Sequence, residues 1–103
     1  AEDIERADRI QRRVSEHYNI RLSDMIGPKR LRSYARPRQV AMYLCKKLTS
    51  RSLPEIGRRF GGRDHTTIMY GCEKVADLME RDDRLRRQVY KIREKLYGST
   101  IAI

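Results

Sequence analysis

Two glycines, Gly61 and Gly62, precede Arg63-Asp64-His65-Thr66-Thr67, and an apolar-periodic run begins at Ile68. A carboxylate, an imidazole and two hydroxyls are thereby crowded into what the spacing makes the first turn of a helix. A helix N-terminus carries unpaired N–H groups and partial positive charge, which suits a phosphate, and short polar side chains beside it reach base edges. The chemistry on offer is recognition. A plainer reading stands next to it, in which Asp64 or Thr66 serves only as a helix cap.

Bond-making chemistry finds no support. The chain has no GxxxxGK[ST] loop and no carboxylate pair in a plausible pocket. Cys45 and Cys72 have no CxxC spacing, and His17 and His65 complete no zinc pattern. No catalytic residue, metal or cofactor is expected. Both cysteines read as reduced residues on apolar helix faces, which suits a cytosolic protein.

The chain has 103 residues, 37% of them charged, and a net charge of +10. The length fits one domain and excludes a second nucleotide-hydrolysing module within it. Residues 28 to 63 hold 11 Lys or Arg against one acid, Glu55, and the other residues hold 13 of each sign. The whole excess therefore sits in one block, which favours a polyanionic partner. A membrane is the weaker choice, since no apolar run approaches the ~18 residues of a span and there is no signal peptide or lipidation motif.

The elements that must hold these residues are helical throughout. Ile4, Ala7, Ile10, Val14 and Tyr18 recur at steps of three and four, so residues 1–20 predict a leading amphipathic helix with Asp3 as cap. A short helix after Ser23, with Ser23 capping it, ends at Gly27-Pro28. Pro37 suits a first helical position and is expected to start a helix that runs to about Thr49. That helix turns Val40, Ala41, Leu44, Cys45 and Leu48 inward and points Arg38, Gln39, Lys46 and Lys47 elsewhere. Ser52-Leu53-Pro54-Glu55 is a capping box opening a short helix with Leu53, Ile56 and Phe60 toward the core, stopped by Gly61-Gly62. Ile68, Cys72, Val75 and Met79 share the inner face of the next helix, and Met69 is assigned to the core with Cys72 and Val75. Arg81-Asp82-Asp83 permits a break, and Leu85, Val89, Ile92 and Leu96 mark a last helix over 84–97, with Gly98 as its stop. The expected fold is all-α, a single multi-helix domain over 1–103 with a helix-turn-helix from about Leu53 to Glu80. In that motif the second helix presents its N-terminal residues to the major groove.

Three strings in order carry more information than the pattern: Ala35-Arg36-Pro37-Arg38-Gln39, Leu53-Pro54-Glu55-Ile56-Gly57 and Gly61-Gly62-Arg63-Asp64-His65-Thr66-Thr67. Together they resemble the C-terminal DNA-binding domain (domain IV) of the bacterial replication initiator family DnaA, from the first helix to about Leu96. The resemblance implies a fold of the Trp-repressor and DnaA C-terminal type, and binding to a short asymmetric duplex site, the DnaA box. It implies that Asp64 accepts from a cytosine amino group while His65 and Thr66 meet thymine methyls or nearby base atoms. Thr67 either joins them or binds phosphate. It places Arg30 in the adjacent minor groove, with Lys29 and Arg32 as neighbours able to share that role, and Arg38, Gln39, Lys46 and Arg63 on phosphates. Arg36, Lys47, Arg51, Arg58 and Arg59 are either solvated or act through the field. Leu53, Pro54, Ile56 and Gly57 count as scaffold, and no role is transferred to Tyr70.

The expected function is sequence-specific double-stranded DNA binding at an origin or promoter, in the cytoplasm and on the nucleoid. Other initiator domains would act in cis if the chain is part of a longer one, a reading toward which its first residue, Ala1 rather than Met, leans. Two alternatives remain: a stand-alone DnaA-like regulator without the ATPase, and a basic module that meets an acidic protein.

Overall fold

The computed structural model describes the backbone of residues 2–28 and 31–97, and the side chains of residues 6–28 and 31–97. Arg30 and Lys29, Gly98 as a stop, and the tail isoleucines Ile101 and Ile103 lie outside the described residues. Among the described residues six helices follow in order: α1 (Glu2–His17), α2 (Leu22–Ile26), α3 (Arg32–Leu48), α4 (Leu53–Arg59), α5 (His65–Arg81) and α6 (Asp83–Tyr97). No strand occurs among the described residues.

α3 is the central element, packing most extensively on α5 and next on α1. One apolar core results, from Ala7, Ile10 and Val14 of α1, Val40, Ala41, Leu44 and Cys45 of α3, Ile56 and Phe60 around α4, Ile68 and Val75 of α5, and Leu85, Val89 and Ile92 of α6. Polar ties close the edges of this core. Gln11, itself buried, donates from Nε2 to the Arg59 carbonyl at 2.7 Å, and Arg9 Nη2 donates to the Leu96 carbonyl at 3.0 Å. Tyr18 donates its hydroxyl to Gln88 Oε1 at 3.0 Å. These bonds fasten α1 to α4 and α6, so the leading helix is part of the domain's packing.

Several boundaries depart from the sequence expectation. Pro37 lies inside α3, five residues after its start, and is buried. Proline supplies a helical φ and disturbs only its own N–H and the carbonyl four residues back, here on the exposed Ser33. The preceding turn keeps a local bond, from the Tyr34 amide to the Leu31 carbonyl at 3.0 Å, and is tied to α2 by the Tyr34 hydroxyl, which donates to Asp24 at 3.3 Å. Ser23 does not cap α2, because the helix begins two residues earlier than expected, at Leu22, with Arg21 at the cap position and no side-chain cap. Asp3 likewise falls within α1. The Arg81-Asp82-Asp83 break does form, and Asp82 starts α6 by accepting the Leu85 amide at 3.2 Å.

The helix-turn-helix rests on two local devices. Ser52 Oγ accepts from the Glu55 amide and Glu55 accepts from the Ser52 amide at 3.0 Å, a complete capping box, with Pro54 in the first turn of α4. At the other end the Gly57 carbonyl accepts the amides of Phe60, Gly62 and Arg63 at 3.0–3.1 Å. A Cβ at Gly57 would fall 2.2 Å from the Arg63 carbonyl oxygen, so the turn closes only over a residue without a side chain. Gly61 has φ +75° and a Cβ there would lie 2.6 Å from the Ile26 carbonyl oxygen.

Candidate nucleic-acid interface

α5 opens with Asp64 at its N-cap position in extended conformation, yet the carboxylate makes no cap to the helix amides. It is turned to its neighbours. Thr66 Oγ1 donates to Asp64 Oδ2 at 2.6 Å, and His65 Nδ1 lies 3.1 Å from Asp64 Oδ1. The capping explanation for Asp64 therefore does not describe this helix end. All four of Asp64, His65, Thr66 and Thr67 are exposed.

This arrangement fixes which polarity each group shows to solvent. The Thr66 hydroxyl hydrogen points to Asp64, leaving oxygen lone pairs and the methyl outward. His65 turns Nδ1 to Asp64, and Nε2 is the ring nitrogen that Asp64 does not engage. Asp64 Oδ2 accepts from Thr66 and Oδ1 faces His65, whose backbone amide also favours the ionised carboxylate. The Thr66 bond, the first cause, and the neighbouring His65 hold the Asp64 carboxyl below the usual carboxylate range, so it is ionised at neutral pH. The result is an acceptor-rich cluster, suited to the amino groups that cytosine and adenine show in the major groove.

The exposed face continues past the cluster. Thr66, Tyr70, Glu73 and Asp77 form one stripe at helical spacing, and Tyr70 is 60% exposed. Met69, assigned to the core from the sequence, is 43% exposed beside it, because the inner face is taken by Ile68, Gly71 and Val75. Helical spacing from Thr66 was signal enough to place both outward. Beyond Tyr70 the stripe turns acidic, which confines any polyanion contact to the first two turns.

The basic residues divide into those at the surface and those used inside. Lys46 is exposed and Gln39 half-buried. Both belong to the edge of α3 that runs along α5: Gln39 lies against Gly71, and Lys46 is close enough to Cys72 to favour its thiolate. Gln39 Oε1 accepts from Arg36 at 3.1 Å. Arg38, expected on a phosphate and on the outward side of α3, is only 7% exposed. Its Nε donates to the Met25 carbonyl at 2.6 Å and its Nη2 to the carbonyls of Asp24 and Gly27 at 3.2 and 3.3 Å. Arg63 is similarly engaged, donating to the carbonyls of Phe60, Ile26 and Gly27. Periodicity misplaced Arg38 because a guanidinium can be buried where carbonyls meet it, an arrangement set by the end of α2 and not by α3.

Other charges are held by partners. Arg51 pairs with Glu55 at 3.1 Å and Arg59 with Asp8 at 3.7 Å. Burial pushes the Cys45 thiol up to about 12 and the Cys72 thiol to about 11, so neither is a thiolate at neutral pH. Among the described residues no group of three His, Cys, Asp or Glu is placed to hold a metal, and no helix is long and apolar enough to cross a membrane.

A short capped helix, a glycine turn and a longer helix with a polar first turn, beside a basic helix edge, are also what comparison with known proteins returns. The family described as the bacterial dnaA protein helix-turn-helix matches residues 7–75. The chain belongs to this DnaA family. Chromosomal replication initiator protein DnaA of Ruegeria sp. (strain TM1040) is 67% identical over 89 residues, 86% of this chain and 19% of that protein. DnaA of Cereibacter sphaeroides (strain ATCC 17029 / ATH 2.4.9) is 68% identical over 89 residues, again 86% of this chain and 20% of that protein. DnaA of Gluconobacter oxydans (strain 621H) is 58% identical over 91 residues, 88% of this chain and 19% of that protein. The chain thus spans about a fifth of the length of the DnaA relatives it matches. As a DnaA helix-turn-helix domain it is a DNA-binding unit, all-α and non-catalytic.

Proposed function

We propose that this domain recognises DnaA-box-like sites in double-stranded DNA, reading the major groove with the first turn of α5 and supporting replication initiation or its regulation on the nucleoid. The observation that carries the reading is the exposed, mutually ordered Asp64–His65–Thr66 cluster at the end of a two-helix motif. Asp64 accepts from a cytosine amino group, and His65, Thr66 and Thr67 contact neighbouring base atoms or methyls. Gln39 and Lys46 on the adjoining α3 edge contact phosphate, and Arg30 enters the flanking minor groove. Arg38 and Arg63, whose guanidinium groups face carbonyls, act by holding structure. If the chain is part of a longer one, the other initiator domains are its further partners in cis.

The test is a fluorescence-anisotropy titration at physiological salt with a duplex bearing a DnaA box and a scrambled duplex of equal length. Preference for the box is expected. Equal affinity for the two would sink specific recognition and leave a basic module attracted to any polyanion.

A further inference from the structure

α2 is five residues long, so its last carbonyls have no amides of its own to accept from. Two guanidinium groups meet them. Arg38, from α3, takes the carbonyls of Asp24, Met25 and Gly27. Arg63, from the turn of the helix-turn-helix, takes those of Ile26 at 3.3 Å and Gly27 at 2.8 Å, and also that of Phe60 at the end of α4. Every carbonyl from Asp24 to Gly27 thus accepts from an arginine, and both arginines converge on Gly27. Gly61, with no side chain to intervene, sets the turn backbone directly on the same helix end.

Arg63 is immediately followed by Asp64. Its own backbone is fixed to α4, with its amide on the Gly57 carbonyl at 3.0 Å and its carbonyl packed against Gly57. Its side chain is fixed to α2. The residue before the base-reading cluster is therefore held at both ends by different elements, and the direction in which α5 leaves the turn follows from that hold. Like charges brought this close need the shared carbonyls, and Arg63 meets its three from two separate nitrogens of a planar fork, a spread that the single nitrogen of a lysine ammonium does not reproduce.

We propose that Arg63 is a positioning residue for base recognition, which with Arg38 clamps the end of α2 to the turn and so sets the aim of Asp64, His65 and Thr66 without contacting DNA. The inference rests on the DNA-reading role proposed above for that cluster.

Arg63→Lys keeps the charge and removes the fork. Measured against the box, single-base variants of it and a salt series, the variant is expected to keep the wild-type salt slope and lose about tenfold in discrimination. Amide NMR signals of residues 64–66 in the free protein should shift with it. Arg63→Gln, examined in parallel, should leave the slope unchanged as well, and thermal melting of both variants separates lost aim from lost fold. Wild-type discrimination in Arg63→Lys would overturn the clamp. So would a slope reduced by about 0.9 in Arg63→Gln with base preference intact, since that is the signature of one phosphate contact. If the wild-type chain binds box and scrambled duplexes alike, the recognition reading fails first and takes the clamp with it.

Discussion

At the residue scale, the proposed recognition depends on small groups held by one another, as Thr66 is by Asp64. Because Thr66 donates to Asp64, removing that donor should release the carboxylate: Thr66→Val is expected to raise the Asp64 pKa toward the ordinary aspartate value, as followed by carboxyl NMR titration. The sign follows from the bond, which favours the charged form and disappears with the hydroxyl. His65→Ala and Asp64→Ala should each cost about 1–3 kcal/mol on the cognate duplex and flatten discrimination at one or two base pairs. Competition titrations against single-base variants measure both, and unchanged affinity and preference in His65→Ala would place the recognition surface elsewhere. The exposed, polar start of α5 was legible in the sequence because the Gly-Gly-Arg-Asp-His-Thr-Thr string and the onset of apolar periodicity coincide. Arg38 was legible as part of a motif and illegible as a buried group, since nothing along α3 announces carbonyls supplied by residues 24–27.

At the element scale, short helices persist only where their ends are satisfied, and this domain satisfies them in two ways. α4 uses a local capping box, which residue types at fixed spacing reveal. Ser52→Ala should cost about 1 kcal/mol of stability in urea or thermal unfolding and leave base preference intact. α2 uses distant arginines, which no local pattern reveals. Arg38→Met should therefore be the more damaging change, about 2–4 kcal/mol, because buried carbonyls lose a charged donor and a methionine gives nothing back. Unfolding midpoints of the two variants test the order, and a milder effect in Arg38→Met would show that water satisfies those carbonyls. The same contrast explains the start of α3. Proline is a reliable sign of a helix's first turn only when nothing else stabilises the preceding residues, and here Tyr34 does so from Asp24.

At the scale of the whole molecule, net charge and local charge must be kept apart. The excess of +10 lies within residues 28–63, yet Arg38 and Arg63 face carbonyls and Arg51 and Arg59 have acid partners. Fewer cations remain for phosphate than composition suggests; among the described residues of that block Arg32, Lys46, Lys47 and Arg58 are exposed, and Lys46 lies on the α3 edge beside α5. Each phosphate neutralised by a protein cation releases counterions, so the slope of log affinity against log salt counts contacts. Lys46→Ala should weaken cognate and scrambled duplexes alike and lower that slope by about one, with the ratio between the two sequences unchanged. A change in that ratio would mean that Lys46 takes part in reading sequence, whereas no change in slope would move the phosphate contact to another cation. The separation has a physical basis. Charge at the edge of the groove acts on a backbone that every sequence shares, and in the proposed reading the first turns of α5, before the stripe turns acidic at Glu73, meet what differs between sequences in the major groove.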